Sequence, residues 1–350
     1  MLSGKGVLIT GGSGSLAQVL LRRLLSGEIG APDRIRLFSR DEAKQHDIRL
    51  AYQHRTVATD EVIYHNYDHL VQFQIGDVRD RESIRTALDG IDVVFHAAAM
   101  KQVPTCEYFP WEAVRTNVGG AENLLHAIRT LPNEVETVVG ISTDKACSPV
   151  NVMGMTKALQ ERVLVRGNLD CPNTRFICVR YGNVIASRGS VVPLFVEQIR
   201  KGGPITVTTA EMTRFLLSLD EAVDVIFEAM RSARRGEIYV PDVPSARIVD
   251  LAAALIGDRP IDVTFTSIRP GEKLHELLVS GEEATRTSRR GNYFVIAPLL
   301  PELQEEEFEP ALDRALSSGT SPISRAAVVA LLARHGIAVE SEEAARTLVR

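Results

Sequence analysis

The sequence lacks the features that mark secreted, metal-bound or membrane proteins. Its four cysteines form no CxxC pair and show no regular spacing, so neither a disulfide framework nor a zinc site is expected. No apolar run approaches the roughly 18 residues that a membrane span requires. The N-terminal region has no signal-type apolar stretch with a small-residue cleavage site. We therefore expect a cytoplasmic protein with no membrane partner and no metal.

A strong excess of either charge is also missing. The formal net charge is -5 and the isoelectric point is near 6.0, so there is no overall field that would attract nucleic acid. Any phosphate group must therefore be bound by local features. A chain of 350 residues with 45% hydrophobic residues can bury a full core and form two lobes.

Short apolar runs alternate with longer amphipathic stretches along the first half of the chain. The runs predict strands over residues 6–10, 34–39, 71–76, 92–98, 137–142 and 175–184, and the first helix is predicted over 15–26. Such alternation predicts an α/β fold with a doubly wound parallel sheet of the Rossmann type.

Glycine and proline become frequent between short elements beyond residue 186. We predict a Rossmann domain over 1–186, with 210–236 returning to it because 212–229 is apolar at helical spacing. Residues 187–209 and 237–298 are predicted to form a smaller C-terminal substrate lobe. The extension 299–350 has an acidic run at 304–307, read as solvated surface, and a predicted helix over 324–335.

A glycine-rich turn lies between the first predicted strand and helix. Glycines there allow backbone N–H groups to approach a pyrophosphate at the positive end of the helix. The predicted cofactor contacts in this turn are Gly11, Ser13, Gly14, Ser15 and Leu16.

The end of the second strand predicts which dinucleotide is bound. NAD-specific domains place an acidic residue there for the ribose 2′-hydroxyl, whereas this strand ends in Ser39 and Arg40, which suit a 2′-phosphate. Lys44 lies one helical turn on and could add a second positive charge. Asp41 would instead favour NAD if it faced the ribose. We predict NADP in preference to NAD.

Further cofactor contacts are predicted along the remaining strand ends. Asp77 and Val78 follow the third strand and would cap the adenine end, although a helix N-cap is the alternative for Asp77. The other predicted contacts are Ala97, Ala98, Ser142, Lys157 and Tyr181.

Six ordered motifs give the sequence a specific resemblance. They are STDKACSP at 142–149, NVMGMTK at 151–157, HAAAMKQVP at 96–104, RYGNV at 180–184, MTRF at 212–215 and RPGEKLH at 269–275. Together they resemble the UDP-N-acetylglucosamine 4,6-dehydratases of bacterial surface-polysaccharide and flagellin-sugar pathways, within the extended short-chain dehydrogenase superfamily. The resemblance covers about residues 5–298.

The resemblance implies a reaction and roles for named residues. Hydride leaves carbon 4, water is lost across carbons 5 and 6, and the same hydride returns at carbon 6. Lys157 would orient the nicotinamide ribose, and Thr143 or Ser142 would hold the 4-hydroxyl. Asp144 and Lys145 would handle the carbon 5 proton and the leaving hydroxyl. The implied contacts to UDP-N-acetylglucosamine are Lys101, Asn183, Arg214, Arg269 and Glu272, with Arg188 closing the pocket.

One position departs from the short-chain dehydrogenase pattern Tyr-x-x-x-Lys. Met153 stands where the tyrosine is expected, and a thioether cannot accept a proton. Lys145 or Asp144 must then act twice, or another group replaces the tyrosine. We predict Cys106 as a candidate because a cysteine near cationic groups can carry an accessible thiolate. A small buried residue is the alternative. His96 is predicted to lie in the core.

Several functions remain compatible with the sequence. The first is dehydration of UDP-N-acetylglucosamine, and the Met-containing type leans towards inversion at carbon 5. The second is a UDP-sugar 4-epimerase, against which Asp144 and Lys145 argue. The third, motivated by the missing tyrosine, is a catalytically silent NADP-binding sensor or scaffold. The resemblance also implies a homo-oligomer, from dimer to hexamer.

Overall fold

The computed structural model describes residues 1–53, 67, 69–131, 135–185, 190–304 and 309–337. Its strands are β1 (Gly6–Thr10), β2 (Arg34–Ser39), β3 (Val71–Ile75), β4 (Val93–His96), β5 (Thr137–Ile141), β6 (Arg175–Val179), β7 (Asn183–Val184), β8 (Ile205–Val207), β9 (Thr213–Leu217), β10 (Ile238–Pro241), β11 (Ser245–Arg247), β12 (Val263–Phe265), β13 (Leu277–Val279), β14 (Thr287–Arg290), β15 (Tyr293–Ile296) and β16 (Leu316–Ser317).

Helices connect most of these strands. The α-helices are Ser15–Leu25, Glu42–Gln53, Arg81–Ala87, Val103–Tyr108, Pro110–Ala113, Gly119–Thr130, Val152–Asp170, Val191–Arg200, Leu219–Ser232, Ile248–Ile256, Gly281–Ala284 and Arg325–Arg334. A π-helical turn spans Val114–Val118, and 3-10 turns span Asp144–Ala146 and Pro301–Leu303. Within the described ranges no helix is both long and apolar enough to cross a bilayer.

A nine-stranded sheet forms the first lobe, in the order β14-β15-β10-β6-β5-β4-β1-β2-β3. The strands from β1 to β6 and β10 pair in parallel, whereas β15 is antiparallel to β10 and β14. Every residue of β1, β4 and β5 is buried, because helices cover both faces of a parallel sheet. The predicted doubly wound α/β fold is confirmed. Its strand order reverses between β1 and β4, which opens a crevice at their carboxyl ends.

One predicted strand is two separate strands. The run 175–184 leaves the main sheet after β6, and β7 pairs with β9 in a three-stranded sheet that also contains β11. Gly182 permits this transfer, because a Cβ atom there would lie 2.5 Å from Cβ of Phe215. The chain thus passes from the first lobe to the second beside the crevice.

The predicted lobe boundaries need correction. Residues 237–298 are not wholly a substrate lobe, because β10, β14 and β15 belong to the main sheet. All four residues of β10 are buried, as in a central strand. The helix Leu219–Ser232 does pack on the first lobe, beside Ser15–Leu25. The residues before it do not fit the predicted helical spacing, because they form β9.

The second lobe has its own hydrophobic core, which includes residues of the C-terminal extension. The helices Val191–Arg200 and Ile248–Ile256 pack with β8, and Val328, Leu331 and Leu332 of the last helix fill the same core. The strand β16 pairs with β13. Residues 299–337 are therefore not a separate extension where they are described, although residues 305–307 of the acidic run lie outside the described residues.

Candidate active site

A cleft of about 830 Å³ lies at the carboxyl ends of the parallel strands, where the two lobes meet. This volume is within the usual range for small-molecule sites. All of the predicted cofactor contacts line it: Gly11, Ser13, Gly14, Ser15, Leu16, Ser39, Arg40, Lys44, Asp77, Val78, Ala97, Ala98, Ser142, Lys157 and Tyr181. The predicted substrate contacts that line it are Lys101, Asn183, Arg269 and Glu272.

The glycine turn has the geometry of a phosphate cradle. Gly11 has φ of 70°, and a Cβ atom there would lie 2.9 Å from the backbone nitrogen of Ala98. Gly14 is the N-cap of the helix Ser15–Leu25 and has no side chain with which to cap it. The N–H groups of the first turn are therefore available to a ligand's pyrophosphate.

Asp41 and Arg40 have different surroundings at the ribose end of the cleft. Asp41 caps the helix Glu42–Gln53, since its Oδ1 accepts a hydrogen bond of 3.0 Å from the Lys44 backbone nitrogen and its Oδ2 pairs with Lys44 Nζ. Arg40 is 55% exposed on its side chain, and its Nη1 lies 3.7 Å from Asp77 Oδ2. Arg40 is thus more available than Asp41 to contact the cofactor ribose, while the charge of Lys44 is paired with that of Asp41.

The alternative reading of Asp77 as a helix N-cap is wrong. The helix Arg81–Ala87 is capped by Asp80, whose Oδ1 accepts from the backbone nitrogens of Glu82 and Ser83. Asp77 instead accepts hydrogen bonds from the Arg79 guanidinium at 2.6 and 2.8 Å.

Two buried polar residues support the floor of the cleft. His96 is fully buried, its Nδ1 lies 2.9 Å from Thr10 Oγ1, and burial together with the Lys157 charge lowers its pKa to about 3. His96 is therefore a neutral core residue, as predicted. Asn117 is equally buried and donates to the Met100 carbonyl at 3.1 Å and to Thr156 Oγ1 at 2.9 Å. It links the loop after β4 to the helix Val152–Asp170.

Lys157 is held at the inner end of the cleft by the helix Val152–Asp170. The helix begins at Asn151, whose Oδ1 accepts from the Gly154 backbone nitrogen at 2.7 Å. Lys157 Nζ donates to the Ile141 carbonyl at 2.6 Å and also to Gln160 Oε1. Burial lowers the pKa of Lys157 to about 8.

A short polar turn follows β5 and presents two side chains to the cleft. Thr143 and Lys145 line the cleft, whereas Asp144 is fully buried behind them. Asp144 Oδ1 accepts from Thr143 Oγ1 at 3.0 Å and from Lys145 Nζ at 3.1 Å. The predicted set of three is thus brought together.

Sequence reasoning missed a second carboxylate beside this turn. Glu276 Oε1 lies 3.4 Å from Lys145 Nζ, and the glutamate is 2% exposed. Burial lowers the pKa of Lys145, but the charges of Asp144 and Glu276 more than offset this and raise it overall. Lys145 is therefore charged at neutral pH. Glu276 directly follows the RPGEKLH motif, which was the available indication.

One predicted substrate contact, Arg214, does not line the cleft. Arg214 is 7% exposed and does not line it: its Nη1 donates to the carbonyls of Thr213 and Leu274, and its Nε lies 3.9 Å from Glu276 Oε1. Arg188 lies outside the described residues.

The prediction of an accessible thiolate at Cys106 is not met by the structure. Cys106 is 0% exposed, and burial raises its pKa. It packs with Met153 and Ala113 in a small apolar cluster. The alternative prediction, that Cys106 is a small buried residue, agrees with its position. Met153 lines the cleft, and its thioether cannot accept a proton.

A buried ionic cluster, also missed from the sequence, lies behind Ser142. Ser142 Oγ donates to Glu161, which accepts two hydrogen bonds from Arg180 at 2.7 and 3.0 Å. Arg180 also donates to both oxygens of Glu283, at 2.8 and 3.0 Å. The cluster joins the residue that follows β6 to the helices Val152–Asp170 and Gly281–Ala284. Among the described residues, no group of histidine, cysteine and carboxylate side chains is arranged to hold a metal.

The sheet, the glycine turn and the lysine at the inner end of the cleft define a Rossmann protein of the extended short-chain dehydrogenase type. Residues 7–298 match the family described as polysaccharide biosynthesis protein, and the chain belongs to that family. It is 44% identical over 301 residues to the UDP-glucose 4-epimerase of Rickettsia typhi, covering 85% of this chain and 84% of that protein.

Solved structures show the same fold. The X-ray structure of Pen from Bacillus thuringiensis matches with a TM-score of 0.85 and 32% identity, over 96% of this chain and 99% of that one. The dTDP-glucose 4,6-dehydratase DesIV from Streptomyces venezuelae matches with a TM-score of 0.64 and 22% identity, over 77% of this chain and 86% of that one.

Proposed function

We propose that this chain is an NADP-dependent UDP-N-acetylglucosamine 4,6-dehydratase. The observation that carries the proposal is the arrangement of Lys145, which opens to the cleft while two buried carboxylates hold it. Loss of a hydroxyl from carbon 6 needs a positioned proton donor, whereas epimerisation at carbon 4 needs none there. The long motifs shared with these dehydratases support the same assignment.

The cofactor proposal rests on the glycine turn and the ribose end. Gly11 and Gly14 leave room for a pyrophosphate, and the available guanidinium of Arg40 suits a 2′-phosphate. The bound nicotinamide would supply the hydride acceptor and return the hydride within one turnover. Lys157, already anchored to the Ile141 carbonyl, would orient its ribose.

The outer end of the cleft suits the nucleotide diphosphate. Arg269 and Lys101 line it and supply positive charge, and Glu272 could accept hydrogen bonds from ribose hydroxyls. The Glu272 backbone nitrogen donates to the Arg269 carbonyl at 3.0 Å, so one turn presents both side chains.

A UDP-sugar 4-epimerase is the second candidate. It is favoured by the name of the Rickettsia typhi relative, which is 44% identical to this chain. The two activities share the oxidation of carbon 4 and differ afterwards, so the products separate them.

Proton NMR in deuterated water tests the proposal. We expect purified protein with UDP-N-acetylglucosamine and catalytic NADP to form a new carbon 6 methyl group with deuterium at carbon 5, and the coupling pattern then reports inversion or retention. Lys145→Met should abolish the methyl signal, while Lys201→Met, at an exposed ion pair with Glu197, should not. Equilibration at carbon 4 without a methyl group would favour the epimerase, and binding of NADP without any turnover would favour a silent protein.

A further inference from the structure

Oxidation at carbon 4 requires a group that removes the 4-hydroxyl proton, and the usual tyrosine is absent. Met153 cannot accept a proton. Tyr181 lines the cleft, but burial raises its pKa, and Cys106 is fully buried. The base must therefore be sought among the other polar groups of the cleft.

The hydrogen bonds of Thr143 leave its hydroxyl able to accept one further hydrogen bond. A threonine hydroxyl has one donor and two acceptor positions. Its proton is directed to Asp144 Oδ1 at 3.0 Å, and one acceptor position takes the Lys145 backbone N–H at 3.4 Å. The other acceptor position has no partner among the described residues, and Thr143 lines the cleft. A substrate hydroxyl at Thr143 would thus donate its proton to it.

Asp144 lies at the far end of this arrangement. Its Oδ1 is shared by Thr143 and Lys145, and its Oδ2 has no hydrogen-bond partner among the described residues. Because the carboxylate is fully buried, it reaches the cleft only through its neighbours.

Ser142 offers a contrast at the same strand end. Its hydroxyl donates to Glu161, but both oxygens of that carboxylate already accept from Arg180. Both oxygens of Glu161 are thus occupied by the guanidinium, whereas Asp144 Oδ2 has no hydrogen-bond partner among the described residues. The two hydroxyls are therefore not equivalent.

We propose that Thr143 and Asp144 form a proton relay that replaces the missing tyrosine, with Thr143 as the catalytic residue that contacts the 4-hydroxyl. The hydride leaves carbon 4 with its electron pair for the oxidised nicotinamide. The 4-hydroxyl O–H bond breaks as its proton passes to Thr143 Oγ1, the Thr143 O–H bond breaks as its proton passes to Asp144 Oδ1, and a carbonyl forms at carbon 4. This inference rests on the proposed function only for the oxidation of carbon 4, which a 4-epimerase would share.

Single-turnover absorbance of the reduced nicotinamide tests the relay. Thr143→Val keeps the shape of the side chain but removes the hydroxyl, and we expect hydride transfer to slow by about 100-fold or more. Thr143→Ser should stay within about tenfold of the wild-type protein, since it keeps the hydroxyl. Asp144→Asn should slow hydride transfer as much as Thr143→Val does. The double variant should slow it no further, because the two residues act as a unit.

A binding measurement gives a readout without turnover. Calorimetry on the enzyme loaded with reduced cofactor compares UDP-N-acetylglucosamine with its 4-deoxy analogue. Thr143→Val should weaken the binding of UDP-N-acetylglucosamine by about 2- to 10-fold, which corresponds to the loss of one hydrogen bond, and should leave the binding of the 4-deoxy analogue unchanged. Thr130→Val is the matched control, because it makes the same substitution at an exposed hydroxyl that donates to the His126 and Ala127 carbonyls, and it should leave the binding of both compounds unchanged.

Three results would overturn the relay. They are hydride transfer in Thr143→Val within about threefold of wild type, an equal effect of Thr143→Val on both compounds, or a loss in Asp144→Asn confined to steps after hydride transfer. If hydride transfer follows the expected pattern but the product is a carbon 4 epimer, the relay stands and the dehydratase proposal fails.

Discussion

Glu283→Gln should destabilise the protein in a way that depends on pH. Burial raises the pKa of the Glu283 carboxyl, but two hydrogen bonds from the buried Arg180 guanidinium and its charge outweigh burial and lower the pKa to about 2. A shift from 4.5 to about 2 corresponds to about 3 kcal/mol of stability at neutral pH, which agrees with the cost of breaking a buried ion pair.

The sign of the pH dependence follows from the lowered pKa. The unfolded state binds a proton at Glu283 first, so the contribution is complete above the unfolded pKa near 4.5 and is lost as the pH falls towards about 2. The difference in unfolding free energy between wild type and variant should therefore be about 3 kcal/mol at pH 7 and should narrow below pH 4.5.

Urea unfolding followed by circular dichroism measures this difference. Glu282→Gln is the matched control, because Glu282 is the exposed neighbour on the same helix, and it should change stability by less than about 0.5 kcal/mol. The reasoning is refuted if Glu283→Gln costs less than about 1 kcal/mol at pH 7, or if the difference stays constant as the pH falls below 4.5.

Three further substitutions test the cleft. Arg40→Ala should weaken the binding of NADP by about tenfold or more in fluorescence titrations, because a charge-assisted contact to the 2′-phosphate is lost, and should leave the binding of NAD nearly unchanged. An equal loss of affinity for both cofactors would contradict the preference for NADP. Lys157→Met should abolish turnover yet raise the unfolding free energy at pH 7 by up to about 3 kcal/mol, since the buried ammonium, with its pKa lowered to about 8, opposes folding. That gain should shrink as the pH rises from 8 to 10.5, and a loss of stability at pH 7 would count against it. Cys106→Ala should keep turnover within about threefold, and iodoacetamide should not label the native thiol; rapid labelling would contradict its burial.

The parallel half of the fold could be predicted because its strands are buried on both faces. Such strands are apolar runs, and β1, β2 and β5 lie within one residue of their predicted bounds. The strands β14 and β15 have four residues each and follow a lobe crossing, so local patterning could not assign them to the main sheet. Their place depends on pairing with β10, a contact distant in sequence.

In the site, too, the residues that are contiguous in sequence could be predicted, and those brought together by tertiary packing could not. The glycine turn and the Thr143 to Lys145 turn are contiguous in sequence, and their position at strand ends follows from the fold. Glu283 meets Arg180 across 103 positions, and Glu276 is brought to Lys145 by tertiary packing. The burial of Cys106 likewise depends on which helix faces it. No local pattern contains such information.

The fate of the hydride tests the proposed dehydration most directly. The protein is incubated with UDP-N-acetylglucosamine deuterated at carbon 4 and catalytic NADP, and the product is examined by deuterium NMR and mass spectrometry. Transfer of hydride from carbon 4 to carbon 6 predicts deuterium in the new methyl group, without loss to solvent. Deuterium that remains at carbon 4 of an epimerised sugar would contradict the account.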